Sequence, residues 1–150
     1  MDDLAFNQKI AAFLAVCKTA SLATVNPAGE PCNANIQYVN DDAWRLYWVS
    51  NASSVHSLNL VEKPDAAVTI YSHLDDQDLI HGLQMRGKAE VLEGAEAEDA
   101  LKRYTEKYPF VSEPPFDKAV ANQDFYRFTP TWLRWLDNRE GFGWKREITL

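Results

Sequence analysis

Residues 50–57, with the sequence SNASSVHS, hold the side chains whose types and spacing most clearly suggest chemistry. Three serines (Ser50, Ser53 and Ser54) precede a stretch of helical character that includes His56. Hydroxyl groups and free backbone N–H groups at a helix start bind anions, because the positive end of the helix dipole lies there. No Lys or Arg lies in this segment. It therefore predicts either a phosphate site without fixed cations or an ordinary capped helix.

The neighbouring elements must hold this segment between a strand and a helix. Residues 44–49 have strand character and end at Val49, whereas the helix continues to Lys63 and is ended by Pro64. Upstream, residues 21–25 and 32–38 alternate with a period of two and are joined by the turn NPAGEP. We expect the three strands to form a meander.

The rest of the chain adds more strands and two longer helices. Strands are predicted over residues 66–71, 80–92, 125–136 and 144–149, and helices over residues 2–17 and 96–108, with a further helical turn at residues 117–122. This pattern predicts a mainly β protein with flanking helices, built as a small barrel of six or seven mostly antiparallel strands. We expect one domain over residues 1–150, without repeats or linkers.

Composition excludes several classes of function. The formal net charge of −7 and the absence of a basic patch argue against nucleic acid and anionic membranes as partners. No apolar run approaches the roughly 20 residues of a membrane span, and the start of the chain does not resemble a signal peptide. Cys17 and Cys32 form no C-x-x-C pair, which favours free thiols in a reducing compartment. We expect a cytoplasmic protein.

Metal and nucleophile motifs are missing from the sequence. His56, His73 and His81 have no zinc-site spacing, and the acidic run DDQD lacks the glycine and the final glutamate of a calcium loop. We therefore predict no metal site. No serine-hydrolase or P-loop string occurs either. Catalytic residues stay unknown, and any redox chemistry would belong to a cofactor.

The order of these elements, together with several local strings, resembles the pyridoxamine 5'-phosphate oxidase-like family of FMN-binding split barrels. The resemblance covers nearly the whole chain. It rests on the first hairpin SLATVNPAGEPCNANIQYV, the strand, loop and helix in RLYWVSNASSVHSLNLVEKPDAAVTI, and the long strand LQMRGKAEVLEG. The ending LDNREGFGWK is similar to a less characterised branch that closes on D-N-x-x-G-F-G-x-K.

The resemblance implies a split β-barrel homodimer, with each FMN in a cleft at the subunit interface. It assigns the FMN phosphate to the loop and helix start, with the candidate residues Val49, Ser50, Asn51, Ser53, Ser54, Val55 and His56. Better-known members carry an Arg-Lys pair that falls here on Val55 and His56. His56 would add charge when protonated, and Arg86 or Lys88 would compensate if their strand face lines the cleft.

Six further residues are candidates through the same resemblance. Gln84 is similar to a glutamine that bonds the flavin phosphate or ribityl chain, although a solvated strand residue is an equal alternative. Asn33 and Asn35 lie on the strand whose polar face borders the flavin in relatives, or else face solvent or a dimer contact. The C-terminal segment reaches the partner's flavin in relatives, which gives the candidates Trp135, Phe142 and Lys145, although a Trp at strand spacing is often a core residue.

The resulting expectation is an FMN-dependent oxidoreductase that transfers hydride or electrons between the flavin and a small organic substrate. Pyridoxamine phosphate oxidation itself is not expected, because the ending WKREITL lacks a match to the family's basic substrate-binding positions. Two alternatives stay open. The barrel could bind haem or a deazaflavin, with a histidine as axial ligand in the haem case, or it could be a non-enzymatic dimeric module whose flavin site has decayed.

Overall fold

The structure is a computed structural model that describes residues 1–71 and 79–150. Among these residues the helices are α1 (Asp3–Val16), α2 (Val55–Glu62), α3 (Gly94–Lys107) and α4 (Phe116–Ala121), with a 3-10 helix at Pro109–Ser112. The strands are β1 (Thr19–Val25), β2 (Pro31–Gln37), β3 (Val39–Asn40), β4 (Leu46–Ser50), β5 (Asp65–Tyr71), β6 (His81–Val91), β7 (Asp124–Asp137) and β8 (Lys145–Thr149).

The strands form one antiparallel sheet in the spatial order β2-β1-β5-β6-β7-β4-β3, with β8 paired to β7. The mainly β class, the antiparallel barrel and the flanking helices predicted from the sequence are confirmed. The long strand β7 has three partners: its first part pairs with β4, its last part with β8, and β6 pairs along both parts. A register shift between Arg86 and Gly87 lets β6 follow the bend near Pro130.

The barrel closes at Tyr38, which separates β2 from β3. β2 pairs with β1 and β3 pairs with β4, so the two ends of the sheet belong to one extended segment of chain. This break also gives eight strands where six or seven were expected. The predicted meander is wrong, because β4 pairs with β3 at two positions and lies mainly against β7. Trp44 (φ 60°) lies in the preceding turn rather than in the strand.

The main core fills the barrel and is covered by α1. Asp2 Oδ1 accepts a hydrogen bond from the Ala5 amide at the start of this helix, 2.7 Å away. One face of α1 carries three fully buried residues, Phe6, Ile10 and Leu14. They pack with the inward side chains of the strands, of which the largest are Trp48, Trp135, Tyr38 and Phe128.

A second cluster lies under α3 and fixes the closure point. Tyr108 donates a 2.5 Å hydrogen bond to the Tyr38 carbonyl, and Tyr38 donates one of 2.8 Å to the Leu14 carbonyl. Lys107 Nζ donates to the Cys17 carbonyl at 2.5 Å and lies 4.5 Å from the centre of the Tyr38 ring. A cation at the carbonyl end of α1 is favourable for the helix dipole. The ends of α1 and α3 are thereby held at the barrel seam.

His73 and the acidic run DDQD fall outside the described residues. Within the described part of the chain, no helix is long and apolar enough to cross a membrane. The same residues contain no group of three or more potential metal-binding side chains.

Candidate functional site

The loop between β4 and α2 brings its polar side chains together around one histidine. His56 Nε2 lies 2.9 Å from Ser50 Oγ and 3.3 Å from Ser54 Oγ. Asn51 Oδ1 accepts hydrogen bonds from both the amide and the hydroxyl of Ser53. Ser54 Oγ also donates to the Asn51 carbonyl or to Ser57 Oγ, at 2.8 and 2.7 Å. We call residues 50–57 the cradle.

The backbone at the start of α2 is open to an anion. Ser54 is the N-cap residue, but among the described residues its hydroxyl does not cap the first amides of the helix. Val55 is 63% exposed and Ser57 is fully buried. Burial lowers the pKa of His56 below its ordinary value, so the ring is neutral near pH 7. The cradle offers neutral donors and one titratable ring.

A second group of candidate residues lies on the outer face of the sheet, in two neighbouring rows of cross-strand pairs. The first row contains Asn35, Ser21, Thr69, Gln84, Arg134 and Glu147. The second row contains Asn33, Ala23, Ala67, Arg86, Trp132 and Thr149. Directly paired residues share one face of a sheet, so the structure places Asn33, Asn35 and Gln84 on the same face, with β1 and β5 between the two asparagines and Gln84. We call these two rows the outer face.

Hydrogen bonds connect neighbouring members of the outer face. Ser21 Oγ donates to Asn33 Oδ1 at 2.6 Å. Arg134 donates to Gln84 Oε1 at 3.2 Å and pairs with Glu147 at 2.6 Å. Asn35 lines a cavity of about 640 Å³ together with Ser21 and Thr69. The amide groups predicted as flavin contacts are therefore accessible on one surface.

The members of the second row other than Asn33 line a groove of about 710 Å³. Ala23 and Ala67 contribute small side chains to its lining, which also contains Arg86 and Trp132. Thr24 lines the same groove and accepts a hydrogen bond of 3.1 Å from Asn59 Nδ2. Because Asn59 belongs to α2, this contact anchors the cradle helix to the sheet at the groove.

The remaining candidates lie elsewhere. Val49 packs against the second core cluster. Trp135 is 1% exposed and packs edge-on against Phe13 at 4.8 Å, so its role as a flavin-stacking residue is corrected to that of a core residue. Phe142 is fully exposed in the turn after β7, and Lys145 begins β8 with an exposed side chain. Lys88, expected as a compensating cation, pairs with Asp65 at 3.0 Å instead.

The turn that presents Phe142 is held by the residues of the D-N-x-x-G-F-G motif. Asp137 is fully buried and accepts hydrogen bonds from Arg139 and Lys9, both at distances below 3.0 Å. Asn138 Oδ1 accepts from the Gly143 amide at 2.9 Å. Gly143 has φ 74°, a conformation that favours glycine. The motif therefore determines the shape of this turn.

Sequence reasoning missed the pairing of Arg86 with Trp132 and of Arg134 with Gln84. The alternation of residues along β7 does not by itself show which face of the sheet Trp132 or Trp135 occupies. The bulge in β6 and the bend at Pro130 shift the register between Arg86 and Gly87. The sequence shows that Gln84 and Arg86 are two residues apart on one strand and therefore share a face. Their partners, Arg134 and Trp132, lie about fifty residues further along the chain.

The comparison with protein families agrees with this architecture. A family model described as pyridoxamine 5'-phosphate oxidase matches residues 6–136. The chain belongs to this family. A UPF0306 protein from Enterobacter sp. (strain 638) is 28% identical over 122 residues, which cover 81% of each protein.

Solved structures show the same fold at low sequence identity. A heme-binding protein from Mycobacterium smegmatis has a TM-score of 0.76 and 19% identity, covering 95% of this chain and 56% of the other. HutZ from Vibrio cholerae, described as a heme storage protein, has a TM-score of 0.70 and 17% identity, covering 82% of this chain and 88% of the other. Identities this low show the fold, which is the split barrel.

Proposed function

We propose that this protein is an FMN-binding oxidoreductase that works as a homodimer on a small organic substrate. The observation that carries the proposal is the cradle, where Ser50, Ser54 and His56 converge beside uncapped amides at the start of α2. Membership of the pyridoxamine 5'-phosphate oxidase family supports a flavin as the ligand.

The donor set of the cradle fits a phosphate monoester. Hydroxyl groups and helix N-terminal amides are donors that bind phosphate. His56 becomes a further charged donor once an anion raises its pKa. The internal hydrogen bonds of Ser54 with Asn51 and Ser57 are short-range, and a phosphate oxygen can replace the acceptors. Because the cradle has no Arg, we expect it to bind phosphate more weakly, since each charge-assisted hydrogen bond contributes roughly 1.5–3 kcal/mol.

The candidate residues of the cradle and the outer face would bind and position the flavin. FMN, when bound, supplies hydride or single-electron transfer. The cradle would hold the phosphate, and His56 would take up a proton at Nε2 as the phosphate binds. Asn33, Asn35 and Gln84 on the outer face would donate or accept hydrogen bonds along the flavin, since amides do both.

Replacing Val55 with Arg tests whether the cradle holds a phosphate. We expect Val55→Arg to tighten FMN binding by about tenfold, because it adds a cation at the first turn of α2. The matched control is Val61→Arg, which adds the same charge at another exposed position (76%) on the same helix. Quenching of flavin fluorescence on titration gives both dissociation constants.

Three results would contradict the proposal. Absence of flavin quenching by both wild type and Val55→Arg at millimolar protein would exclude FMN and would favour a module without a working flavin site. Equal gains in Val55→Arg and Val61→Arg would mean that only net charge matters. A mass equal to that of one chain, measured by sedimentation in the presence of FMN, would contradict the proposal that the protein works as a homodimer.

A haem-binding function is the second candidate, favoured by the two structural neighbours described as a heme-binding and a heme storage protein. Haem needs an axial ligand, and His56 Nε2 is already within hydrogen-bond distance of two serines. His81 is partly buried, with Nδ1 2.9 Å from the Leu79 carbonyl oxygen and its ring beside Phe13. A Soret band shifted and sharpened relative to free haem, with the change lost in His81→Ala or His56→Ala, would favour haem over FMN.

A further inference from the structure

We propose that the groove on the outer face binds a small molecule with a flat apolar body and a single carboxylate, which Arg86 recognises. The inference concerns a substrate or effector site and does not depend on flavin binding. It rests on the shape of the groove, on the state of Arg86 and on the charges around it.

The groove has the size and lining of a small-molecule site. Its volume of about 710 Å³ lies within the roughly 300–1,000 Å³ that is usual for ligand pockets. Ala23, Ala66, Ala67 and Gly87 contribute small side chains or none to its lining. A flat apolar body can therefore lie close to the strands without displacing a large side chain.

Arg86 is the cation of the groove that is left for a ligand. Its guanidinium carbon lies 4.3 Å from the centre of the Trp132 ring, which orients the planar group. Within residues 1–71 and 79–150, no carboxylate pairs with it. By contrast, Arg134 pairs with Glu147 and Lys88 pairs with Asp65. An oriented guanidinium without a counter-ion favours a carboxylate, which it can bind through two parallel hydrogen bonds.

The other polar groups of the groove explain why a single negative charge fits best. Asp65 lines the same groove, but its carboxylate is paired with Lys88, so the lining offers a ligand one cationic group, the Arg86 guanidinium. The Thr24 hydroxyl already accepts from Asn59, and Thr131 donates to the Arg86 carbonyl. A phosphate dianion would exceed what one guanidinium neutralises, whereas a carboxylate matches it.

The test compares two probes of nearly equal shape, 2-naphthoate and the uncharged 2-naphthamide, by isothermal titration calorimetry. We expect the full-length protein to bind 2-naphthoate at least tenfold more tightly than the amide. Arg86→Gln should remove this preference and leave binding of the amide unchanged. Arg103→Gln removes one positive charge from an exposed position on α3, outside the groove lining, and should leave the preference intact.

Several outcomes would overturn the proposal. Equal affinity for the two probes, or equal losses in Arg86→Gln and Arg103→Gln, would mean that Arg86 does not recognise the carboxylate. If a second copy of the chain covers the groove, neither probe binds, and Ala67→Arg lowers the mass measured by sedimentation. Circular dichroism of each variant shows whether the fold is kept, and because Arg86 is exposed, Arg86→Gln should fold normally. The naphthoate preference is measured without FMN, so its failure is separate from failure of the flavin proposal.

Discussion

His56 is the residue on which the pH dependence of the cradle turns. Burial holds its pKa below the usual value of about 6.5, and Nε2 lies beside two hydroxyl groups rather than a carboxylate. A bound phosphate favours the charged imidazolium and raises that pKa. Binding would therefore take up a proton wherever the pH lies between the free and bound pKa values.

We expect FMN affinity to rise as the pH falls from 8 towards 6, by at most tenfold per pH unit. His56→Asn keeps a polar side chain but cannot take up the proton, so its affinity should not rise over the same range. Fluorescence titrations of both proteins at four pH values measure the difference. The flavin's own phosphate titrates near pH 6 in both proteins, and parallel curves would show that His56 does not gain a proton.

The sequence identified the side chains of the cradle but not their arrangement. Ser50, Ser54 and His56 lie within seven residues, so local spacing was sufficient to bring them together. Trp132 and Trp135 are three positions apart on β7. Only Trp135 was predicted as a site residue, and the structure buries it. The face that each occupies depends on the register with β6, which is a long-range property.

At the scale of elements, the turn between β7 and β8 depends on the buried carboxylate of Asp137. Arg139 and Lys9 hold its pKa well below the usual range, despite burial that opposes ionisation. A carboxylate with a lowered pKa stabilises the fold above its unfolded pKa of about 3.9. That contribution is lost as the pH falls below this value.

Asp137→Asn should lower the free energy of unfolding at pH 7 by about 3 kcal/mol, because it leaves Arg139 and Lys9 without their buried partner. Glu140→Gln is the matched control: its partly exposed carboxylate is 3.4 Å from Lys9 Nζ and should contribute less than about 1 kcal/mol. Urea unfolding at pH 7 and pH 3 measures both. An unchanged gap between wild type and Asp137→Asn at the two pH values would contradict the argument.

For the whole molecule, periodicity predicted most elements but not all their neighbours. Alternation located β1, β2, β5, β6 and β7 to within a few residues. It also located β4 (Leu46–Ser50) to within two residues, but it did not predict the main partner of that strand, β7, which lies more than seventy residues further along the chain. Adjacent strands usually pair, and here the break at Tyr38 turns the chain away from that arrangement. Closure of a barrel depends on such distant contacts, which a local pattern does not contain.

The position of β7 between several strands has a consequence for how fast its amide protons exchange with solvent. Its segments at 126–128 and 132–136 have neighbours on both sides, so we expect exchange there only through global unfolding. β2 has a free edge among the described strands, and its outer amides should exchange by local opening.

FMN at 100 times its dissociation constant should then slow β7 exchange by roughly 100-fold. Hydrogen–deuterium exchange measures this, and equally fast exchange in β7 and β2 would contradict it. If the expected difference is found, the exchange rate of the β7 amides reports any ligand that binds the folded protein, including ligands that never contact β7.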